Sequence, residues 1–169
     1  AVEAAATTDS NAAATTPVSA TGILIGNFAN LTTGITNSLN GASAGAVSGV
    51  GTISATFSGT TGGSATAVLI AQNANVPSFT NEGVITASAV TTESKVTSLS
   101  ANGIVDQSGT LLNVNNSGTI NIQSTASVNG VATPLDNSNN IATAFDLRAA
   151  TGSISFTNSG VIAAPVPTA

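Results

Sequence analysis

Short apolar segments alternate with small polar residues along the chain, and two kinds of segment recur. The first kind is a small residue followed by an apolar triplet. Its copies are TGILI at 21–25, TAVLI at 66–70, NGIVD at 102–106 and TAFDL at 143–147. The second kind follows the first and is better preserved. Its copies are FTNEGVI at 79–85, VNNSGTI at 114–120 and FTNSGVI at 156–162. Recurrence with Asn and Gly in fixed places indicates an internal repeat.

A further copy of the second segment is interrupted. It begins as ITNS at 35–38 and resumes as GTI at 51–53, so that removing Leu39 to Val50 restores the register. The repeat then has four units, near residues 20–64, 65–98, 99–140 and 141–169. The predicted organisation is an N-terminal arm at 1–19, a repeat domain at 20–164 and a C-terminal tail at 165–169.

Each unit predicts three short strands. The apolar triplet is the first, the residues ending near Phe79 are the second, and a turn at Asn-x-Gly leads into the third, such as VITA at 84–87. One Ile recurs in every third strand: Ile53, Ile85, Ile120 and Ile162. The residues that follow it are Ser54, Thr86, Asn121 and Ala163, and one place further on stand Ala55, Ala87, Ile122 and Ala164. This period of two indicates that one face of the strand is buried.

Three strands followed by a return to the start describe one coil of a parallel β-helix. The sequence therefore predicts an all-β fold, a right-handed parallel β-helix (β-solenoid) of about four three-stranded coils, with equivalent residues stacked in columns. One inward column is predicted to be Ile35, Phe79, Val114 and Phe156. An amide ladder is expected from Asn37, Asn81, Asn116 and Asn158. A Greek-key sandwich also has short strands and frequent turns, but it does not explain the repeat.

Three local features complete the prediction. Gly51, Gly83, Gly118 and Gly160 are expected at positive φ, where a Cβ would clash. The Ser-, Thr-, Asn- and Gly-rich segments are interpreted as corner loops of different length: Thr56 to Ala65, Ser88 to Ala101 and Gln123 to Asn140. The last residue of the first strand reads Ile25, Ile70, Asp106 and Leu147. Asp106 interrupts this column, so its strand either ends early or places the residue at a corner.

The charge content excludes several classes of function. Seven acids face two basic residues, for a net charge of −5, and only 5% of residues are charged where about 25% is usual. Nucleic acid is excluded as a partner because no basic patch exists. No apolar run approaches the roughly 18–20 residues of a membrane span, so none is predicted. Low charge combined with a large apolar fraction also differs from the composition of disordered chains.

Few residues of the chain are suited to catalysis. His and Cys are absent, so there is no imidazole base, no thiolate and no common zinc site. Lys95 is the sole lysine, and the acids are spread over different units. Asp136, Ser138 and Asn140 alternate like calcium ligands, but Ile141 and Leu147 occupy the places of the required Gly and Glu. We expect no catalytic, cofactor-binding or metal-binding residues, no cofactor and no enzymatic activity.

The recurring TNSG-x-I, seen at 157–162, joined to strands such as TGILI resembles the repeats of bacterial autotransporter passengers and haemagglutinin-like adhesins. The resemblance covers about residues 20–164. It implies a secreted right-handed β-helix displayed at the cell surface. The small residue Ala1 at the start, as signal-peptide cleavage leaves, and the absence of Cys also predict an extracellular or bacterial cell-surface location.

Two functions follow as hypotheses. The first is a structural subunit of an extracellular filament or sheath, with further copies of itself as partners stacked head-to-tail. A short solenoid has two open sheet edges, and neither end shows a charged cap. The arm would either cap its own first coil or bridge subunits by placing Asn11 to Thr16 along a neighbouring edge. The alternative is a surface adhesin that binds host or matrix glycans or proteins, with surface polysaccharide as a further candidate partner.

Overall fold

The computed structural model describes residues 2–7, 18–38, 51–60, 62–92, 98–128, 131–133 and 140–164. These residues form fourteen β-strands and no helix. The strands are β1 (Val2–Thr7), β2 (Val18–Ile25), β3 (Ile35–Asn37), β4 (Thr52–Gly59), β5 (Gly63–Ile70), β6 (Ser78–Asn81), β7 (Val84–Thr91), β8 (Leu99–Asp106), β9 (Asn113–Asn116), β10 (Thr119–Val128), β11 (Val131–Thr133), β12 (Asn140–Asp146), β13 (Ser155–Asn158) and β14 (Val161–Ala163).

The chain returns to the same three positions in every coil. Coil 1 is β2, β3 and β4; coil 2 is β5, β6 and β7; coil 3 is β8, β9 and β10; coil 4 is β12, β13 and β14. First strands form sheet 1, second strands form sheet 2, and third strands form sheet 3 together with β1 and β11. Every pairing between coils is parallel. The prediction of a parallel β-helix of four three-stranded coils is confirmed.

The columns are those that the repeat predicts. Ile53 pairs with Ile85, Ile85 with Ile120, and Ile120 with Ile162. A second column runs through Ile35, Phe79, Val114 and Phe156. Burial alternates strictly along β7, with every second side chain inside, because successive residues of a strand point to opposite faces of the sheet.

Sheets 1 and 3 pack face to face, and the short strands of sheet 2 form the third wall. Most of the core consists of Ala, Val, Ile and Leu, with Phe57 and Phe79 as its largest fully buried side chains. Small inward residues such as Ala65 and Ala87 let the two facing sheets approach closely, which explains how so Ala-rich a chain fills its interior.

The predicted corner loops are wrong over much of their length. Strand β4 continues to Gly59 and β5 already begins at Gly63, while β7 continues to Thr91 and β10 to Val128. Inward Ala and outward Ser or Thr keep the alternation of a strand, although the composition is that of a loop. The remaining parts of these segments (61, 93–97, 129–130 and 134–139) and the insertion Leu39 to Val50 lie outside the described residues.

The prediction of positive φ for the glycine column is also wrong. Among described glycines, positive φ occurs at Gly34 and Gly109. The column instead allows close approach between coils. A Cβ on Gly118 would overlap the carbonyl oxygen of Gly83, which accepts a hydrogen bond from the Thr119 N–H at 2.8 Å. Gly160 meets Gly118 in the same way.

Part of the N-terminal arm belongs to the solenoid. Strand β1 pairs in parallel with β4 of its own chain, Val2 facing Ile53 and Thr7 facing Ser58. It therefore extends sheet 3 by one strand beyond coil 1. Residues 8–17, which include the segment Asn11 to Thr16 considered as a bridge, and the tail 165–169 lie outside the described residues.

Candidate functional site

Asp106 is the one buried carboxylate of the described residues, with 2% of its surface exposed. It lies inward at the end of β8, where the chain turns a corner. Its Oδ1 accepts hydrogen bonds from the N–H of Ser108 (2.9 Å) and of Gly109 (3.3 Å) and from the Ser108 hydroxyl (2.6 Å). Its Oδ2 accepts from the Leu111 N–H at 3.2 Å. The Asp106 side chain holds the turn, and its oxygens accept hydrogen bonds from the chain itself, as buried polar groups require.

A second acid, Asp146, lies on the outside of the next coil beside the same corner. Arg148 donates to it at 2.8 Å from Nε and 2.6 Å from Nη2. The hydrogen bond from this guanidinium is the main cause that lowers the pKa of Asp146 below its ordinary value. The Arg148 side chain is 89% exposed, so the pair is a solvated surface ion pair and not a reactive centre.

The described residues contain no group of three or more Asp, Glu, His or Cys placed to hold a metal ion. Lys95 and the acids Asp9, Glu93 and Asp136 lie outside them, as does most of the segment considered for calcium. Within the same residues, no helix has the length and apolar character needed to cross a membrane.

The predicted amide ladder is confirmed and has a direction. Nδ2 of Asn37 donates to Oδ1 of Asn81 at 2.8 Å, Asn81 donates to Asn116 at 2.7 Å, and Asn116 donates to Asn158 at 2.7 Å. Every donor therefore points toward coil 4. At the coil 4 end, Asn158 Nδ2 reaches only the carbonyl of Gly160 among described residues, at 3.3 Å. At the coil 1 end, no described donor reaches Asn37 Oδ1.

The coil 4 end of the solenoid exposes residues that are buried in every interior coil. Phe156 is 44% exposed and Ile162 is 37% exposed, whereas Phe79 and Ile85 of coil 2 are 1% and 0% exposed. Phe145 packs edge-on against Phe156, with ring centroids 5.0 Å apart, and both lie at this end. Ile154 and Val161 of coil 4 are also exposed apolar side chains, Val161 in the outward column of Thr119 and Val84. We call the surface that Phe145, Phe156 and Ile162 form at this end the coil 4 face.

The opposite end, the coil 1 face, is covered in one sheet only. Strand β1 extends sheet 3 and also packs against β2. Strands β2 and β3 have no partner on this side within the described residues, and their inward side chains Ile23, Ile25 and Ile35 remain half-buried. Both ends thus present open strand edges together with apolar core positions. The sequence predicts the open edges, but the exposure of individual side chains there does not follow from residues that the interior copies share.

The outer wall of sheet 2 is polar by comparison, whereas Leu24 of sheet 1 and Phe28 at the corner after β2 are exposed apolar side chains. Along the outer face of sheet 2, hydroxyl and amide side chains of successive coils line a shallow groove: Ser78, Thr80, Asn113, Asn115, Ser155 and Thr157. They stack in register, with Thr80 facing Asn115 and Asn115 facing Thr157. No aromatic side chain projects from this wall in the described coils.

Comparison of the chain with protein-family models, with curated proteins and with solved structures finds no match.

Proposed function

We propose that this protein is a secreted, non-enzymatic structural subunit that polymerises outside the cell by head-to-tail stacking of solenoids. The coil 4 face of one subunit contacts the coil 1 face of the next. The observation that carries the proposal is the complementarity of these faces: one ends in an amide donor, Asn158 Nδ2, and the other begins with an amide acceptor, Asn37 Oδ1. Stacking extends the ladder by one hydrogen bond per joint.

Burial of apolar surface supports the same arrangement. The coil 4 face combines several partly exposed apolar side chains with unpaired strand edges, and such edges add further strands unless charge or a bulge prevents it. The described part of this face carries one ion pair, Asp146–Arg148, at its margin. A second solenoid would return Phe156 and Ile162 to the surroundings that their counterparts have in coil 2.

Extracellular location is part of this proposal because the chain has no Cys to oxidise and very few charges. A surface so poor in charge gives a monomer little protection against association, which a structural polymer does not need.

Electron microscopy of negatively stained protein and light scattering across a dilution series test the proposal. We expect filaments above a critical concentration. Phe156→Asp places a charge in the coil 4 face and should abolish them, while Asn115→Asp should not. Asn115 is exposed on the outer face of sheet 2 in coil 3, an interior coil, so this control adds a charge outside the joint. Particles that stay single for the unaltered protein at every concentration, or equal loss of assembly in both variants, would contradict head-to-tail stacking.

The second candidate is an adhesin that binds glycans, favoured by the polar groove of sheet 2. Its hydroxyl and amide groups repeat along the solenoid as sugar hydroxyls repeat along a polysaccharide. Binding to immobilised bacterial and host glycans, lost in Asn115→Ala and retained in Phe156→Asp, would favour this function over the structural one.

A further inference from the structure

Sheet 3 ends in an incomplete strand at the coil 4 face. Strand β14 has three residues, whereas β7 at the same position of coil 2 has eight. On this edge of β10, β14 pairs with Thr119–Asn121 and β11 pairs with Ala126–Val128. Between them, Ile122–Thr125 have no strand partner on this edge within the described residues. We call these four residues the β10 gap.

The coil 1 face carries a strand without a counterpart elsewhere in the repeat. Strand β1 occupies the place in sheet 3 that the third strand of a preceding coil would take, and Ala4–Thr7 lie opposite Ala55–Ser58 of β4. The registers of sheet 3 carry these positions down the solenoid, since Ala55 pairs with Ala87 and Ala87 pairs with Ile122. Ala4–Thr7 and the β10 gap therefore belong to the same four columns.

We propose that the joint between stacked subunits is completed by strand sharing, in which Ala4–Thr7 of one copy pair with Ile122–Thr125 of the next. This inference rests on the proposed head-to-tail assembly and specifies its interface. When coil 1 of the incoming copy follows coil 4, its β1 lies at the height of β14. Strand β14 and Ala4–Thr7 then follow each other along one composite strand, flanked by β10 of one copy and β4 of the other.

The directions of the backbone groups permit this pairing. In sheet 3 the Val84 N–H donates to Gly51 O, and the Thr92 N–H donates to Gly59 O. Alternate residues of a parallel strand bond to opposite neighbours, so the positions of Gly51, Gly59 and every second residue between them face the following coil. By the same alternation, Ile122 and Ser124 face the joint.

Along β1, the same alternation directs the backbone groups of successive residues to opposite edges of the strand. Ala4 and Ala6 face β4 of their own chain, whereas Ala5 and Thr7 face away from it. The Ala5 N–H is therefore placed to donate to Ile122 O, and the Ala5 carbonyl is placed to accept from the Ser124 N–H. Strand β1 keeps its bonds to β4 while its outer edge fills the gap of the neighbour.

The side chains agree with this register. In the composite strand, Ile162 is followed inward by Ala4 and Ala6, as Ile85 is followed by Ala87 and Ala89 in coil 2. Three local features must give way. Val2 and Glu3 share their columns with Ile162 and Ala163, and Ala164 follows Ala163 toward the Ile122 column that Ala4 would fill. The Asn140 side chain, which donates to Ser124 O at 3.2 Å, occupies one carbonyl of the gap.

A proline at Ala5 tests the inference directly. Pro lacks the N–H that would donate to Ile122, yet an edge strand tolerates Pro where the missing N–H faces outward, so pairing with β4 persists. Ala5→Pro should keep the circular dichroism and melting temperature of the unaltered protein but raise the critical concentration for filaments about tenfold, as losing one or two hydrogen bonds predicts. Ala5→Val, which keeps the N–H, should assemble normally. Unchanged assembly by Ala5→Pro, with filaments still formed, would overturn strand sharing and leave head-to-tail stacking intact.

Cysteine cross-linking gives an independent reading because the chain has no Cys. Ala5 and Gln123 share an outward column, and adjacent parallel strands lie about 4.8 Å apart, within the Cα range of a disulfide. Mixing Ala5→Cys with Gln123→Cys protein under mild oxidation should yield a disulfide-linked pair of subunits. The intramolecular pair Ala5→Cys with Thr56→Cys, neighbours in β1 and β4, verifies the geometry. If filaments form but only the intramolecular cysteine pair is cross-linked, the proposed register of strand sharing is wrong. If no filaments form, the proposed head-to-tail assembly is wrong.

Discussion

Two nearly identical segments, FTNEGVI at 79–85 and FTNSGVI at 156–162, differ by one residue but lie in opposite surroundings. In coil 2 the Phe and the last Ile are enclosed by coils on both sides, with 1% and 0% exposed. In coil 4 the same side chains are 44% and 37% exposed because one neighbouring coil is missing. Backbone pairing, strand bounds near the turn and the Asn contact are alike in the two copies.

This difference shows that the sequence of a repeat sets its conformation, while the stack sets its burial. In a solenoid each coil contacts only its neighbours, so the stability of a coil is the sum of its own contribution and that of two interfaces. An end coil retains one of them. The same substitution should therefore cost much more in coil 2 or coil 3 than in coil 4, unless a second subunit supplies the missing interface.

The largest contrast is expected for a charge in the Ile column. Ile120→Asp buries an unpaired carboxylate between coils and should cost several kcal/mol, enough to unfold a domain of ordinary stability. Ile162→Asp places the same charge at the coil 4 face, where water reaches it, and should leave the monomer folded. Thermal melting followed by circular dichroism measures both. Equal melting temperatures of the two variants would show that the cost of a charge in the Ile column is the same in an interior coil and in an end coil.

A smaller but still large effect is expected in the glycine column. Gly118→Val must push its Cβ against the Gly83 carbonyl, whereas Thr119→Val changes a half-buried residue of β10 without any new contact with that carbonyl. The first should lower the free energy of unfolding by a few kcal/mol and the second by about 0.5 kcal/mol or less. Urea denaturation compares them. Similar midpoints for the two variants would refute the close approach between coils.

The amide ladder provides an intermediate test. Asn81→Ala removes the acceptor of Asn37 and the donor to Asn116, leaving two polar groups without their partners, at about 1–3 kcal/mol each. Asn158→Ala leaves one, Nδ2 of the buried Asn116. We expect the melting temperature to fall roughly twice as far in the first variant. In assembled filaments the two values should converge, because Asn158 then lies in the interior of a longer ladder.

The smallest effect concerns the ion pair beside the coil 4 face. The hydrogen bond from Arg148 lowers the pKa of Asp146 in the folded protein, so ionised Asp146 stabilises the fold. That stabilisation is fully present above the unfolded pKa, about 3.9, and is lost as the pH falls through the lowered folded value. Arg148→Ala should therefore melt at a slightly lower temperature than the unaltered protein at pH 7, and this difference should shrink as the pH falls below the unfolded pKa. If the difference in melting temperature persists at acidic pH, Arg148 stabilises the fold through packing and not through its ion pair with Asp146.

The repeat allowed the columns, the coil number and the Asn ladder to be predicted because equivalent residues must stack at strand spacing. It failed where composition and alternation conflict. Ser88 to Thr91 have the composition of a loop, yet Ala89 and Thr91 point inward and the segment is strand. The prediction from the repeat also failed for the glycine column. These glycines are needed because a carbonyl of the neighbouring coil approaches closely, and the turn preferences of the local sequence do not reveal that approach. The β10 gap and the register of β1 depend on pairings that only the three-dimensional structure shows.

The buried carboxylate of Asp106 has a consequence for folding. Coils of such similar sequence are prone to pair with the wrong neighbour, since a slip by one whole coil preserves the alternation of every strand. Asp106 makes coil 3 distinguishable, because only its own turn, with Ser108, Gly109 and Leu111, supplies the N–H groups that the carboxylate needs. A coil 3 enclosed with that turn open would leave the Asp106 side chain without these partners beside Ile70, which burial penalises. One acidic side chain thus makes a closed corner turn a condition for a stable coil 3.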